Sequence, residues 1–552
     1  MNHQIAEDGI DHSTSDPSAA VAELIRAAGV HGLRFRRVLA MLLTDWQSLD
    51  DVIRGPAMPR RTVEELLSAV GDDLARRSVD GRELFRIPAP LADEYRRRFA
   101  LAELPAPVEP VSASVELPDS VRSAVRADIA EVPPPLAALD HVQATPDSVL
   151  RRAAWLTSQY ELDGAEVLFL GDHDLTSLAL AGLRPELSIT VVDVDDRVLA
   201  HIDRIAEARG LRVRCLHADL RFGLPPSVLA GSDLVFTDPP YTPEGIGLFA
   251  ARAVECLRDS GGRVLIAYGY SDRTPALGFA VQQRLQRLGM LFEAIVPDFD
   301  RYEGAQAVGS ASDLYVCRPV GSGKSARRGD NRIYTHGPQS SESGGTLSEA
   351  ALDALQRLVA PAGGSTSDDA GPQCPLPVST ADWSAPSTTA AAVIDAQGDP
   401  GPWLSRVLAA TNAQRLAVLV RNNHPDLVDA AAQQALRELV AAKYSLRFHR
   451  STPDGKHAVV VATSATGETA SPAGALLRKA HGRIANVWRE ALVQRESALG
   501  RTLTKNQARD LVRATAPRAE ELDLRLIDLP RHRIAAVLAA ADATPTGPGD
   551  VE

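Results

Sequence analysis

Between residues 164 and 241, four apolar runs of strand length follow one another, and each ends in an acidic residue. GAEVLFLGDHDLTSLALAG opens with a buried-strand run, Val167 to Leu170, turns at Gly171-Asp172 and continues as a helix from about Leu175. LSITVVDVDD is a second strand, ending in Asp193, Asp195 and Asp196. LRVRCLHADLRF is a third, ending in His217-Ala218-Asp219. DLVFTDPPYTPEG is a fourth, delivering Asp238-Pro239-Pro240-Tyr241. Strand, glycine-containing turn, helix, strand, acid is the first half of a nucleotide-binding doubly wound α/β sheet. Such a sheet binds ligands outside the carboxyl ends of its strands.

The chemistry of these ends is readable. Gly171 has no Cβ and lets the backbone approach a ligand. Asp193 is placed to accept from two ribose hydroxyls, whereas Asp195 and Asp196 serve equally well as caps of the next helix. GDHD is not GxGxxG, so a dinucleotide site has little support. Two prolines stiffen the backbone around Asp238 and Tyr241. The carboxylate can accept hydrogen bonds from an amine, and the ring can cover a sulfonium by cation–π attraction. VPDFDRYEG adds Asp298, Asp300 and Glu303 near a later strand end, a pattern that a solvated acidic loop also produces.

Around this segment the 552 residues divide into further units. Residues 1–17 read as a disordered tail. Over 18–100 the order is helix (Ala20 to Ala28), helix (Phe35 to Leu43), short helix capped by Ser48, helix opened by Pro59 and Thr62, then a hairpin turning at Asp80-Gly81. That is a winged-helix order. Residues 101–138 are a linker with helix near 120–129, and 139–320 form the nucleoside-binding domain. Residues 321–414 are expected to be a flexible linker, and 415–552 a C-terminal α/β and helical region. Nothing in its residues establishes that it repeats the first sheet. The nucleoside site is expected to be complete without residues 345–552.

Hydrophobic residues make up 45% and the formal net charge is −12, the profile of a soluble protein whose surface does not advertise nucleic-acid binding. No apolar run is long enough to predict a membrane span. The four cysteines form no CxxC pair, which points away from zinc and towards a reducing cytoplasm. No metal is expected, and homo-oligomer formation is left open.

The motifs LFLGDHDLTSLALA, VVDVDDRVL and FTDPPYTPEGIGLFAARAVECL resemble the catalytic domain of the N4-bis(aminopropyl)spermidine synthases, the branched-chain polyamine synthases. The resemblance covers roughly residues 20–320 and leaves 345–552 outside. It implies a fold like that of S-adenosylmethionine methyltransferases behind a winged-helix domain. It implies decarboxylated S-adenosylmethionine as co-substrate and a polyamine such as spermidine as partner. Asp172, Asp174, Asp238 and Tyr241 would be catalytic. Gly171, Asp193, Asp219 and Pro239 would hold the nucleoside, with Asp219 reaching the adenine amino group. His173, Pro240 and Glu244 would line the amine channel. The family has Gly-Asp-Asp-Asp where this chain has Gly171-Asp172-His173-Asp174, so one acid is replaced. Two other readings stay open. Asp-Pro-Pro-Tyr also marks S-adenosylmethionine-dependent methyltransferases acting on exocyclic amines of nucleic acid. A non-catalytic winged-helix regulator sensing a nucleoside or polyamine is the other.

Overall fold

The computed structural model describes residues 17–105, 117–320, 333–335, 349–359, 376–465 and 471–545. All of the expected tail except Pro17 lies outside these residues, as do the Gly/Ser-rich stretches 321–332 and 360–375. No helix among the described residues is long and apolar enough to cross a membrane.

The N-terminal unit runs α1 (Pro17–Ala27), α2 (Gly32–Thr44), β1 (Gln47–Ser48), α3 (Leu49–Arg54), α4 (Arg60–Val70), β2 (Ala75–Val79), β3 (Arg82–Arg86) and α5 (Ala89–Arg98), with strand order β1-β3-β2. Local chemistry explains it. Ser48 and Asp51 cap α3 reciprocally, the Asp51 N–H donating to Ser48 Oγ at 3.2 Å and the Ser48 N–H to Asp51 Oδ2 at 3.1 Å. Asp80 and Gly81 take positive φ at the hairpin tip. Val63, Leu66, Leu67 and Val70 bury one face of α4.

The central unit opens with α6 (Asp119–Glu131) and α7 (Pro146–Gln159). It continues β4 (Glu166–Leu170), α8 (Thr176–Leu183), β5 (Ser188–Asp193), α9 (Asp196–Arg209), β6 (Val213–His217), β7 (Leu234–Thr237), α10 (Pro243–Cys256), β8 (Arg263–Tyr268), α11 (Pro275–Arg287), β9 (Met290–Arg301) and β10 (Ala311–Pro319). The seven strands lie in the order β6-β5-β4-β7-β8-β10-β9. Neighbouring strands from β6 to β8 are parallel, and β10 is antiparallel to both β8 and β9. Along β4, Val167 and Phe169 enter one apolar cluster and Leu168 and Leu170 the other, so both faces are covered. This is the α/β doubly wound sheet expected for the segment.

A second sheet occupies ground expected to be linker. After α12 (Glu349–Val359) come β11 (Val378–Thr380), β12 (Ser387–Asp395), α13 (Trp403–Ala410), β13 (Thr411–Arg421), α14 (Ala430–Val440), β14 (Tyr444–Arg450) and β15 (His457–Ser464), in the order β11-β12-β13-β15-β14. The flexible-linker reading of 321–414 therefore ends too late. STTAAAVID has large apolar side chains only at Val393 and Ile394, and it pairs in parallel with β13 from Ser387↔Thr411 to Asp395↔Leu419. Helices α15 (Pro472–Arg478), α16 (Ile484–Ala498), α17 (Lys505–Thr515) and α18 (Arg531–Asp542) complete the chain. One apolar cluster runs from Leu168, Val235 and Ile266 of the first sheet to Trp403, Leu416 and Val460 of the second unit. The central and C-terminal units thus share one apolar core.

Candidate active site

Where β4, β5, β6 and β7 end, the chain encloses a cavity of about 350 Å³. Gly171, Asp172, His173, Asp174, Asp193, Asp219, Asp238, Pro239, Pro240 and Tyr241 all line it. The sequence reading had named all of these. Its walls are otherwise largely apolar, among them Leu139, Phe236, Phe249, Val308 and Ile333.

The centre of the site is a residue the motifs do not contain. Arg152 on α7 is 1% exposed and gathers three carboxylates. Its Nη1 donates to Asp174 Oδ2 at 2.7 Å, its Nη2 to Asp238 Oδ2 at 2.7 Å and Asp300 Oδ2 at 2.9 Å, and its Nε to Asp300 Oδ1 at 3.0 Å. The Tyr302 hydroxyl donates to Asp238 Oδ2 at 2.7 Å and lies 3.0 Å from the Tyr241 hydroxyl. One cation faces three acids, so the buried cluster carries surplus negative charge when all are ionised. Burial pushes the Asp238 carboxyl up to about 7; Arg152 opposes this and Asp174 adds to it. Burial likewise drives the Tyr241 and Tyr302 hydroxyls well above the ordinary tyrosine range.

The acids divide by what already occupies them. Asp174 Oδ1 accepts the Ala144 N–H at 2.6 Å, so both its oxygens are engaged. Asp172 caps α8 by accepting from Thr176 and Ser177 N–H at 2.9 and 3.1 Å. Burial pushes it up to about 8, against those hydrogen bonds. Asp193 accepts from the backbone of Asp172 at 2.9 Å and Asp195 at 2.8 Å and thereby ties the first two strand ends together. Burial lifts it to about 6. Among the described residues Asp238 Oδ1 has a single partner, the Tyr241 hydroxyl at 3.2 Å.

Asp219 departs from expectation. Its Oδ1 accepts from Arg221 N and Nε at 3.0 and 2.8 Å, and its Oδ2 from Arg221 Nη2 and from Trp403 Nε1 at 3.0 Å. Burial disfavours its charge, but the Arg221 guanidinium overrides this and holds the pKa below the ordinary value. A carboxylate with four donors has little capacity left for an adenine amino group. Glu244 is a second correction. It stands exposed in the first turn of α10 and does not line the cavity, because Thr242 caps that helix and turns its start towards solvent. His173 lines the cavity with its ring 4.6 Å from that of His141, and its Nε2 lies 3.0 Å from the Pro133 carbonyl. Burial lowers His141 to about 3, so that ring is neutral. Asp195 caps α9 and pairs with Arg197, while Asp196 accepts from Arg406 Nη2 at 3.0 Å and Arg531 N at 2.8 Å.

No motif names Tyr302, and Asp300 stands only in an acidic run that a solvated loop also produces; here both meet Arg152 at the end of β9. The N-terminal unit grips their segment. Arg54 Nε donates to the Tyr302 carbonyl at 3.0 Å and its Nη2 to Glu303 at 2.6 Å. Arg34 pairs with Asp298 at 3.2 Å, Arg60 donates to Gln306 at 3.0 Å, and Glu65 pairs with Arg273 at 2.9 Å. At Gly309 (φ +79°) a Cβ would stand 2.7 Å from the Ala57 carbonyl carbon. The start of α4 and the turn before it are therefore spent on the central unit.

The segment that carries this buried, acid-lined α/β site is similar to known proteins. Residues 121–316 match the family model for the branched-chain polyamine synthase A C-terminal domain. An uncharacterized protein of Methanocaldococcus jannaschii is 34% identical over 199 residues, 36% of this chain and 49% of that protein. The match thus spans about half of that relative. The N(4)-bis(aminopropyl)spermidine synthase of Thermus thermophilus is 29% identical over 290 residues, 51% of this chain and 81% of that protein. Among solved structures, the T. thermophilus branched-chain polyamine synthase C9 mutein, in complex with N4-aminopropylspermidine and 5'-methylthioadenosine, is 23% identical. It covers 59% of this chain and 99% of its own, with a TM-score of 0.41.

Proposed function

We propose that the protein moves an aminopropyl group from decarboxylated S-adenosylmethionine to a nitrogen of a polyamine such as spermidine. The observation that carries this reading is the buried cluster of Asp174, Asp238 and Asp300 on one arginine, at the edge of a cavity whose walls are otherwise mostly apolar. Such a cavity favours a long aliphatic cation. The family match and the ligands named for the relatives agree with it.

In this reading the neutral amine nitrogen attacks the propyl carbon, the C–S bond breaks, and methylthioadenosine leaves as a neutral thioether. The new ammonium loses its proton to Asp238 Oδ1, the carboxylate oxygen with the least prior engagement. A pKa near 7 suits a base working at neutral pH. Tyr241 and Tyr302 orient that carboxylate, and Tyr241 with Pro240 covers the amine. Asp174 and Asp300 set the negative field that holds the other ammonium groups. Asp172 orients rather than accepts, because α8 occupies it. Gly171 and Pro239 border the nucleoside, and Asp193 takes the ribose hydroxyls. His173 lies beside the amine as a wall residue, its Nε2 turned to the Pro133 carbonyl.

The N-terminal unit is read here as a winged helix turned inward. Arg54 and Arg60 are committed to the 302–306 segment, which leaves α4 poorly placed to enter a DNA groove. Spermidine is expected to raise the melting temperature, and to raise it further when methylthioadenosine is present. A ligand at about one hundred times its Kd adds roughly 2.7 kcal/mol. Duplex DNA is expected to bind weakly at physiological salt. A thermal-shift titration and a gel-shift assay check both. Tight DNA binding without a polyamine response would favour the nucleic-acid methyltransferase reading instead.

A further inference from the structure

The two sheets have the same plan. With α8, β5, α9 and β6 removed, the central unit runs α7-β4-β7-α10-β8-α11-β9-β10, and the C-terminal unit runs α12-β11-β12-α13-β13-α14-β14-β15. The strand orders then correspond, β4-β7-β8-β10-β9 against β11-β12-β13-β15-β14. The directions correspond as well: three parallel strands, then one antiparallel to them, then an edge strand antiparallel to that one. What the second unit lacks is the part that carries Asp193 and Asp219. At the end of β12, where the first unit has Asp238, Asp395 folds its Oδ1 back onto Gln397 N at 3.0 Å. Among the described residues the second unit thus has no counterpart of the β5 and β6 strand ends that carry Asp193 and Asp219.

Its α13, the counterpart of α10, is instead driven into the first unit. Asp399 fixes the start of α13 by accepting from Gly401, Trp403 and Leu404 N–H at 2.6, 2.9 and 2.7 Å, and His424 Nε2 lies 2.9 Å from the same carboxylate. Trp403, 5% exposed, then donates to Asp219, and its ring lies 4.8 Å from the Arg221 guanidinium that holds the same carboxylate. One turn later Arg406, fully buried, donates to His217 Nδ1 at 3.1 Å and to Asp196 at 3.0 Å. These three partners mark the carboxyl ends of β5 and β6, the nucleoside edge of the cavity.

We infer that the C-terminal unit is a shortened second copy of the transferase fold kept as a clamp on the first copy's nucleoside edge, with Trp403 as the positioning residue that holds Asp219. The inference rests on the proposed function only in taking the ligand of that edge to be a methylthioadenosine-type nucleoside. Asp219 acts through geometry here. Held by Arg221 and Trp403, it fixes the β6 loop that walls the nucleoside pocket.

The test is calorimetry on the full chain with methylthioadenosine and, separately, spermidine. Trp403→Phe keeps an aromatic ring, though a smaller one, and removes the N–H donor. Losing a hydrogen bond to a charged group should weaken nucleoside binding about ten-fold, with spermidine affinity unchanged. Trp488→Phe is the control. It loses an equivalent indole bond, to Thr544 Oγ1 at 3.1 Å within the same unit, and should lower the melting temperature without touching nucleoside affinity. A Trp403→Phe protein with wild-type nucleoside affinity overturns the clamp. So does a loss matched by Trp488→Phe. If Trp403→Phe does not fold, Arg406→Met reads the same clamp from the next turn. A several-fold loss there supports it, and unchanged affinity overturns it. Failure of the wild-type chain to bind methylthioadenosine overturns the proposed function and this inference together, and is thereby distinct from failure of the clamp alone.

Discussion

Asp238→Asn is expected to lower the transfer rate by about 10²–10⁴-fold, the usual cost of removing a proton acceptor, while leaving the fold intact. Asparagine preserves the shape and can still meet the Tyr302 and Tyr241 hydroxyls, but one of its two terminal atoms is an NH₂ that cannot take a proton. The pH dependence gives a sharper signature. Burial raises Asp238 to about 7, and the base form is the deprotonated one. The logarithm of kcat/KM should therefore bend near pH 7 as this base ionises, with a shallower rise above it from neutralisation of the free amine, which titrates at about 10. The Asn variant should lose that bend along with the rate. A folded variant with near-normal turnover, or a wild-type profile flat from pH 5 to 8, tells against Asp238 as the acceptor.

Replacing Arg152 should have the largest effect on stability. Arg152→Leu leaves Asp174, Asp238 and Asp300 buried against one another with no cation between them. Breaking a buried ion pair typically costs about 3–5 kcal/mol, and three acids share this one guanidinium. The sign with pH follows. Without the arginine, burial and mutual repulsion raise the folded-state pKa values of these acids above their unfolded values. Stability is then fully present below the unfolded values and lost as pH rises through the folded ones. Urea melts should show a deficit that is small near pH 4 and largest at pH 8. Equal stability of wild type and variant at pH 8 contradicts the account. Arg152→Lys should rescue little, since a single ammonium cannot span the positions the guanidinium fork reaches.

Much of the site was legible because it lies where local patterns end. Gly171, Asp193, Asp238 and Tyr241 each follow an apolar strand run, and the sheet brings strand ends together. Arg152 was not legible for the opposite reason. It sits inside an ordinary amphipathic helix, PDSVLRRAAWLTSQ, and only the fold shows that it faces the carboxylates rather than solvent. Asp300 carried a weak signal as one of the acids near a strand end, but acids beside a loop are commonly solvated; Tyr302, one residue past β9, carried none. Asp219 was placed correctly and its partners were not, because Trp403 is 184 residues away. Glu244 failed on helix phase. A residue next to the motif in sequence turned outward with the first turn of α10. The second sheet stayed hidden in a Thr- and Ala-rich strand with only Val393 and Ile394 as large apolar residues at its end. Its likeness to the first sheet lies in strand order, which no residue pattern displayed.

The central claim is aminopropyl transfer, and product analysis tests it most directly. The full chain would be incubated with decarboxylated or intact S-adenosylmethionine and a panel of polyamines, and the products read by mass spectrometry. The account predicts a polyamine heavier by one or more aminopropyl groups, with methylthioadenosine released in equal amount, only when the decarboxylated donor is present. Consumption of intact S-adenosylmethionine alone, with a methylated product and no lengthened or branched polyamine, would contradict it.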